Sequence, residues 1–509
     1  MSEWWRSAAF YQIYVRSFQD SNGDGVGDIP GIRSRLQYLK ELGVDALWLT
    51  PFYPSPQADH GYDVADYTDV DPQFGTLADF DALVADAHEL GMRVTIDIVP
   101  NHTSDQHEWF RNAIADPNHR HRAYYFFRPG KAGGRPNGWT SAFGGPAWTR
   151  DDGTGEYYLH FFAPEQPDLD WHNEDVQDEF DGILRFWLDR GVDGFRIDVA
   201  HALFKAQDLR EMVEPVPRPQ FGDWLSALMQ PELHPLYRRW RHIADEYPGD
   251  RMYVGEIVIE SQEKIASYVG PDQLHLSFNF ALLFAPWDAE HMRATIDRTF
   301  GALGAVGAPS TWVFENHDVN RLPTRYGGGE IGRRRARAAA LLLFALPGTS
   351  FTYQGQELGL EEVDLPDEAR QDPVFLRTKG ERIGRDGCRV PIPWTKEPPA
   401  LGFTDGEPWL PMPRDWGAVS VEAQAEDPGS MLALYRSALR LRPRGDGLVW
   451  RDSPSGTMVF ERSDLVCAIN VDATELELPE GEILLASEPG IGTTLPPNTA
   501  AWIKRGAGR

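Results

Sequence analysis

Three apolar runs in this 509-residue chain end on carboxylates, where burial alone would favour another aliphatic side chain. They are Gly194-Phe-Arg196-Ile-Asp198-Val199, Tyr253-Val-Gly255-Glu256, and the run closing with Glu315-Asn316-His317-Asp318. If the first is a strand, its two-residue alternation puts Arg196 and Asp198 on one face, and the guanidinium favours an ionised Asp198. Glu256, ending an apolar run, is the type of group that serves as a general acid. A fourth run, Val94-Thr-Ile-Asp97-Ile-Val-Pro-Asn101-His102, holds an Asp inside and a His just past its end. One ionised carboxylate facing one protonated carboxyl is the equipment for cleaving a glycosidic bond, with Asp198 as nucleophile and Glu256 as acid/base. Singly, each residue has a structural explanation as ion pair, helix cap or core histidine. Three carboxylates at strand ends, each beside a neighbour of catalytic type, are not explained that way.

The elements that must position them are short β-rich runs separated by helical patterns. The runs are Phe10–Phe18, Ala46–Pro51, Val94–Pro100, Gly194–Ala200, Tyr253–Val258, Leu276–Phe280 and Trp312–His317, with an eighth near Ser350–Tyr353. Amphipathic stretches at Ile32–Leu42, Thr76–Leu90 and Asp175–Arg190 lie between them. Strands apolar on both faces and alternating with helices predict an α/β fold, a (β/α)8 barrel built from residues 1–100 and 173–430. The C-terminal strand ends of such a barrel face the active site. Residues 101–172 have no clear helical period and are too long for a structureless loop, which predicts an inserted subdomain lining the site. A second irregular stretch covers 361–413. Residues 431–509 are predicted to form a C-terminal β-sandwich domain, with short alternating strands evident past Arg444.

Composition narrows the partners. With 49 Lys and Arg against 77 Asp and Glu, the net charge of −28 repels phosphate backbones and anionic lipid, so neither nucleic acid nor a membrane surface is expected. The longest apolar run, Ala338 to Leu346, is too short to span a bilayer and predicts a buried helix. Two cysteines and no signal-peptide pattern suggest a cytoplasmic protein. The oligomeric state stays open. Asp20-Ser-Asn22-Gly-Asp24-Gly-Val26-Gly-Asp28 spaces oxygen side chains at positions 1, 3, 5 and 9 of a loop, with the Val26 carbonyl at 7. That spacing suits either a Ca²⁺ loop or a polar Asx-rich turn, and it lacks the glutamate at position 12 of an EF-hand.

The motifs, in this order, resemble the α-amylase family of glycoside hydrolases, within it the α-glucosidase and oligo-1,6-glucosidase branch. Tyr11-Gln-Ile-Tyr-Val-Arg-Ser-Phe18, Gln166-Pro-Asp-Leu-Asp170 and Arg385-Asp-Gly-Cys-Arg389-Val-Pro-Ile-Pro-Trp394 join the four runs above in carrying the resemblance. It implies a retaining exo-α-glucosidase acting on short α-glucosides, with a transglucosylase or isomerase of trehalose- or sucrose-type glucosides as the alternative on the same scaffold. It implies Asp198 as nucleophile, Glu256 as acid/base, and Asp318 on the 2- and 3-hydroxyls of the sugar. Tyr62 and Asp63 would stack on and hold the non-reducing glucose, and His102, Arg196 and His317 would complete that subsite. Phe143, Phe162 and Arg389 would wall it. The resemblance supports a structural Ca²⁺ on Asp20, Asn22, Asp24, Val26 and Asp28, for which Mg²⁺ is a substitute. It associates a valine after the nucleophile, here Val199, with α-1,6 linkages and a threonine with α-1,4.

Overall fold

The computed structural model describes residues 3–211, 225–259 and 261–505. The apolar runs form eight strands: β1 (Ala9–Ile13), β2 (Ala46–Leu49), β3 (Arg93–Ile98), β4 (Gly194–Ile197), β5 (Met252–Gly255), β6 (Leu276–Ser277), β7 (Thr311–Val313) and β8 (Thr349–Tyr353). All pairs are parallel, in the order β7-β8-β1-β2-β3-β4-β5-β6. Every residue of β1, β2, β4, β5 and β8 is buried, as a sheet covered on both faces requires. Between β6 and β7 the Thr311 hydroxyl donates to the Ser277 carbonyl, so the barrel is nearly closed. The register sets Asp97 beside Arg196, and Arg196 beside Val254. That pairing builds the site.

The helices follow their local signals. Leu77–Glu89 begins with a capping box in which Thr76 and Asp79 exchange side-chain and backbone bonds. Glu174–Asp189 turns Val176, Phe180, Ile183, Leu184 and Trp187 into the core along one stripe. The stretch 32–42, expected to be one amphipathic segment, is two helices, Ile29–Ser34 and Leu36–Leu42. The break falls at Arg35, whose guanidinium lies 4.2 Å from the centre of the Trp394 ring and donates to Gln19 Oε1 at 2.8 Å. Helix Gly329–Ala345 buries every residue from Ala338 to Ala345. Among the described residues no helix is long and apolar enough to cross a membrane.

Residues 101–172 contain a helix, Glu108–Ala115, which the sequence reading did not anticipate. Two turns are too short to display a 3.6-residue period, and His107 is an unusual cap. A three-stranded antiparallel sheet follows, with Tyr157–Leu159 between Phe127–Arg128 and Trp148–Arg150. Lys205, just after β4, ties this subdomain to the barrel. Its Nζ lies 3.0 Å from Asp168 Oδ2 and 2.8 Å from Asn101 Oδ1, with no solvent contact.

Residues 431–441, assigned from sequence to the C-terminal domain, form helix Met431–Leu441 on the barrel, against Leu36–Leu42 and Gly329–Ala345. Its apolar stripe, including Leu434, Tyr435, Ala438 and Leu439, is covered there. The C-terminal domain itself is a five-stranded antiparallel sheet in the order Val449–Trp450, Thr457–Arg462, Leu465–Asn470, Thr499–Arg505, Gly481–Ala486. One side meets helix Gly329–Ala345, where Trp502 Nε1 donates to the Leu341 carbonyl at 3.1 Å. On the other, Val459, Val466, Ala501 and Ile503 cluster with Leu476 and Leu495 of a two-stranded ribbon.

Candidate active site

Because the eight strands run parallel, their C-terminal ends bring Asp97, Asp198, Glu256 and Asp318 to one end of the barrel. Arg196, 1% exposed, stands at the centre. Its Nη1 donates to Asp97 Oδ1 at 2.7 Å and Asp198 Oδ1 at 2.6 Å, while Nη2 lies 2.7 Å from Glu256 Oε1. Burial pushes the Asp198 carboxyl well up; Arg196 opposes this, and the charges of Glu256 and Asp97 add to it. Burial pushes Asp97 up to about 6 against the same guanidinium. One cation among three carboxylates leaves the cluster net negative, so it tends to retain a proton. Val199 adopts φ of 45°, a left-handed conformation unusual for a β-branched residue. There its peptide N–H donates to Glu256 Oε2 at 3.0 Å. The residue following Asp198 thus holds Glu256.

Asp318 is differently placed. Burial alone would raise its carboxyl, but the guanidiniums of Arg385 and Arg389 outweigh that and hold it well below the usual carboxylate range. Arg385 Nη1 and Arg389 Nη2 reach Asp318 Oδ1 at 3.1 and 3.0 Å. His317 is kept neutral by burial. Its Nδ1 meets Gln12 Nε2 at 2.6 Å and its Nε2 meets the Tyr62 hydroxyl at 2.7 Å. The Tyr62 hydroxyl in turn donates to Asp97 Oδ2 at 3.2 Å, which fixes the His317 proton on Nε2 by the network. His102, pushed down to about 3 by burial, sits against the Tyr62 carbonyl and Gln166.

A cavity of about 220 Å³, of the order of one hexose, opens over these groups. Tyr62, His102, Asp198, Glu256, His317 and Asp318 line it together with Phe143 and Phe162 from the inserted subdomain. Those two rings meet edge to face at 5.3 Å. Arg196 and Arg389 stand behind the lining and act through the carboxylates they hold. The expectation for Asp63 is corrected. Asp63 is fully buried and its oxygens accept the peptide N–H groups of Ala58 at 2.8 Å and Asp59 at 2.9 Å, so it braces the turn beneath the cavity. Asp59 reaches the cavity instead, with Oδ1 accepting from Arg385 Nη2 at 2.8 Å and Oδ2 from Gln166 Nε2 at 3.1 Å. Sequence reasoning missed both Asp59 and Arg385. The available signals were a second aspartate four residues before Asp63, and the Arg385–Arg389 spacing of one helical turn.

The 20–28 loop forms a run of Asx turns, one of the two geometries its spacing allows. Asp20 Oδ1 accepts from the Asn22 and Gly23 N–H groups, Asp20 Oδ2 from Gly25, Asn22 Oδ1 from Asp24, and Asp24 Oδ1 from Val26. Asp28 caps helix Ile29–Ser34 through Gly31 and accepts from Ser21. Among the described residues no three acidic, histidine or cysteine side chains form a ready-made metal cage.

Comparison with known proteins agrees with this geometry. The model for the alpha amylase catalytic domain matches residues 12–450, which takes in helix Met431–Leu441. A probable alpha-glucosidase of Rhizobium meliloti (strain 1021) is 40% identical over 463 residues, covering 88% of this chain and 84% of that protein. An oligo-1,6-glucosidase of Parageobacillus thermoglucosidasius is 37% identical over 485 residues, covering 88% and 85%. The crystal structure of an alpha-glucosyl transfer enzyme superposes with a TM-score of 0.91 at 38% identity, covering 99% of this chain and 100% of the other.

Proposed function

The chain belongs to the α-amylase family of glycoside hydrolases, and on that premise we propose a retaining exo-α-glucosidase that releases glucose from the non-reducing end of short α-glucosides. One observation carries the reading: a single guanidinium grips Asp198 and Glu256 side by side at the floor of a cavity of hexose size. In double displacement the nucleophile and the acid/base stand about 5 Å apart. Asp198 attacks C1 while Glu256 gives its proton to the leaving oxygen. Water, deprotonated by Glu256, then releases glucose from the Asp198 ester. Asp318, anionic under the grip of two arginines, receives the hydroxyls nearest C1. The Asp59–Arg385 pair binds hydroxyls farther round the ring. The relatives' names as alpha-glucosidase and oligo-1,6-glucosidase support the activity.

Val199 presents no hydroxyl to a leaving sugar, which suits the methylene of a 1,6 linkage. Isomaltose and maltose should both be cleaved, and soluble starch poorly, because Phe143 and Phe162 narrow the approach. A panel of maltose, isomaltose, sucrose, trehalose and soluble starch, with products identified, tests this. Comparable kcat/KM on long amylose and on disaccharides would overturn the exo pocket. The second reading, a transglucosylase or isomerase, is favoured by the likeness to a glucosyl transfer enzyme. Transfer or rearrangement products dominating over free glucose, with sucrose or trehalose alone, would establish it.

The oxygen spacing of the 20–28 loop and the family resemblance also support the proposal of one structural Ca²⁺, or Mg²⁺ in its place. Asp20, Asn22, Asp24, Asp28 and the Val26 carbonyl would hold it, drawing in oxygens that now accept peptide N–H groups, and its effect would be on stability alone. A cytoplasmic location is supported by two free, buried cysteines, Cys388 and Cys467.

A further inference from the structure

Gln12 is the one amide in β1, whose other side chains are aliphatic or aromatic, and it is 1% exposed. Its Nε2 reaches past β8, which lies between β1 and β7 in the sheet, to His317 Nδ1 at 2.6 Å. Its Oε1 is buried without a hydrogen-bond partner. A buried amide with half of its capacity unmet is costly. The bond it does make ends on a ring that lines the hexose-sized cavity.

The His317 ring is held in one orientation. The rings of Tyr14 and Tyr62 lie 5.7 and 5.4 Å away, tilted from it by 25° and 6°, and Trp48 meets it edge-on at 6.1 Å. Nε2 stands on the cavity side, 2.7 Å from the Tyr62 hydroxyl and 3.4 Å from Asp318 Oδ2. Burial keeps the ring neutral against the pull of Asp318, and Arg389, Arg196 and Arg385 add to the effect of burial. A neutral imidazole carries one proton, so its position is the remaining variable. On Nε2 the proton points at anionic Asp318 and at the hydroxyls Asp318 receives. On Nδ1 it would leave a bare Nε2 facing the Asp318 carboxylate, with no donor for the sugar. An amide nitrogen can only donate, and a donor on Nδ1 requires that nitrogen to be bare. The Tyr62 bond to Asp97 decides which way the Gln12 amide is turned.

We propose that Gln12 is a positioning residue for the hydrolysis: its amide donates to His317 Nδ1 and so keeps the imidazole proton on Nε2, towards Asp318 and the sugar. The inference rests on the hydrolase reading above for its substrate, while its first readout needs none. With nitrogen-15-labelled histidine, long-range proton–nitrogen NMR separates the two tautomers, and His317→Asn identifies the His317 signals by their loss. The parent should show a bare Nδ1 and a protonated Nε2. Gln12→Met, of similar length but without a donor, should move both nitrogens towards a mixture of tautomers. Its kcat should fall about 2- to 10-fold, the loss of one hydrogen bond, with KM changed less. The fall should be alike on maltose and on 4-nitrophenyl α-glucoside, because His317 acts on the glucosyl ring and not on the leaving oxygen. Gln12→Glu turns an acceptor on Nδ1 and should draw a proton onto it, which decides the matter if Gln12→Met does not fold. A merely structural role would lower the melting temperature and leave the nitrogen signals as in the parent. That result overturns this inference, as does a parent protonated on Nδ1, or a shifted tautomer with unchanged kcat. No hydrolysis of either glucoside by the parent overturns the hydrolase reading, and the spectra alone then decide the tautomer.

Discussion

Asp59→Asn should cost activity, and Asp63→Asn should cost stability, although the two aspartates sit four residues apart in one motif. Asp59 faces the cavity with Arg385 at 2.8 Å, and the asparagine keeps its shape while removing the charge. A hydrogen bond to a charged group contributes about 1.5–3 kcal/mol and a neutral one about 0.5–1.5. The difference of about 1–2 kcal/mol corresponds to a loss of roughly 5- to 30-fold in kcat/KM. Asp63 meets two peptide N–H groups, and an amide turned towards them leaves one buried donor without an acceptor. That costs about 1–3 kcal/mol of stability. Burial, opposed by those two N–H groups, pushes the Asp63 carboxyl up to about 6 from an ordinary 3.8. A folded pKa above the unfolded one gives stability that is present below pH 3.8 and lost as pH rises through about 6. The penalty of Asp63→Asn should therefore be largest near pH 4 and shrink towards pH 7. The assay is kcat/KM on isomaltose beside thermal melts across that range. Near-wild-type turnover in Asp59→Asn, with Asp63→Asn inactive at an unchanged melting temperature, would refute the reasoning.

Asp198→Asn should abolish turnover of every glucoside, whereas Glu256→Gln should retain far more on 4-nitrophenyl α-glucoside than on maltose, since that leaving group needs no proton; equal losses on both would contradict the assignment. Glu315 is pushed up to about 7 by burial against the pull of Arg321, so its contribution to stability is intact below pH 4.5 and lost as pH rises through 7. Glu315→Gln should accordingly show a smaller fall in melting temperature between pH 5 and 8 than the parent, and an identical fall would count against it. Calcium at 100 times its dissociation constant should stabilise the fold by about 2.7 kcal/mol. Asp24→Ala should abolish that calcium-dependent rise in melting temperature, and a variant melting like the parent in both calcium and chelator would remove the site.

The barrel and its carboxylates were legible because each rests on a local pattern. Gly194–Ile197 and Met252–Gly255 are buried on both faces, and a carboxylate closing such a run is carried to the strand end. Leu276–Phe280 has the same composition, yet only Leu276–Ser277 pairs, and the chain turns into helix Phe280–Leu283 under the Asn279 cap. The pairing of Asp59 with Arg385 was not legible, since 326 residues separate them and no periodicity links a turn after β2 to a stretch after β8. Asp63 was misread because its motif places a carboxylate near the site without showing whether its oxygens face sugar or backbone.

Retention is the claim on which the roles of Asp198 and Glu256 stand. Proton NMR of isomaltose or maltose hydrolysis, followed from the first turnovers before mutarotation, reads it directly. α-Glucose as the first product is the predicted result. β-Glucose appearing first would mean that water attacks C1 directly, with no ester on Asp198.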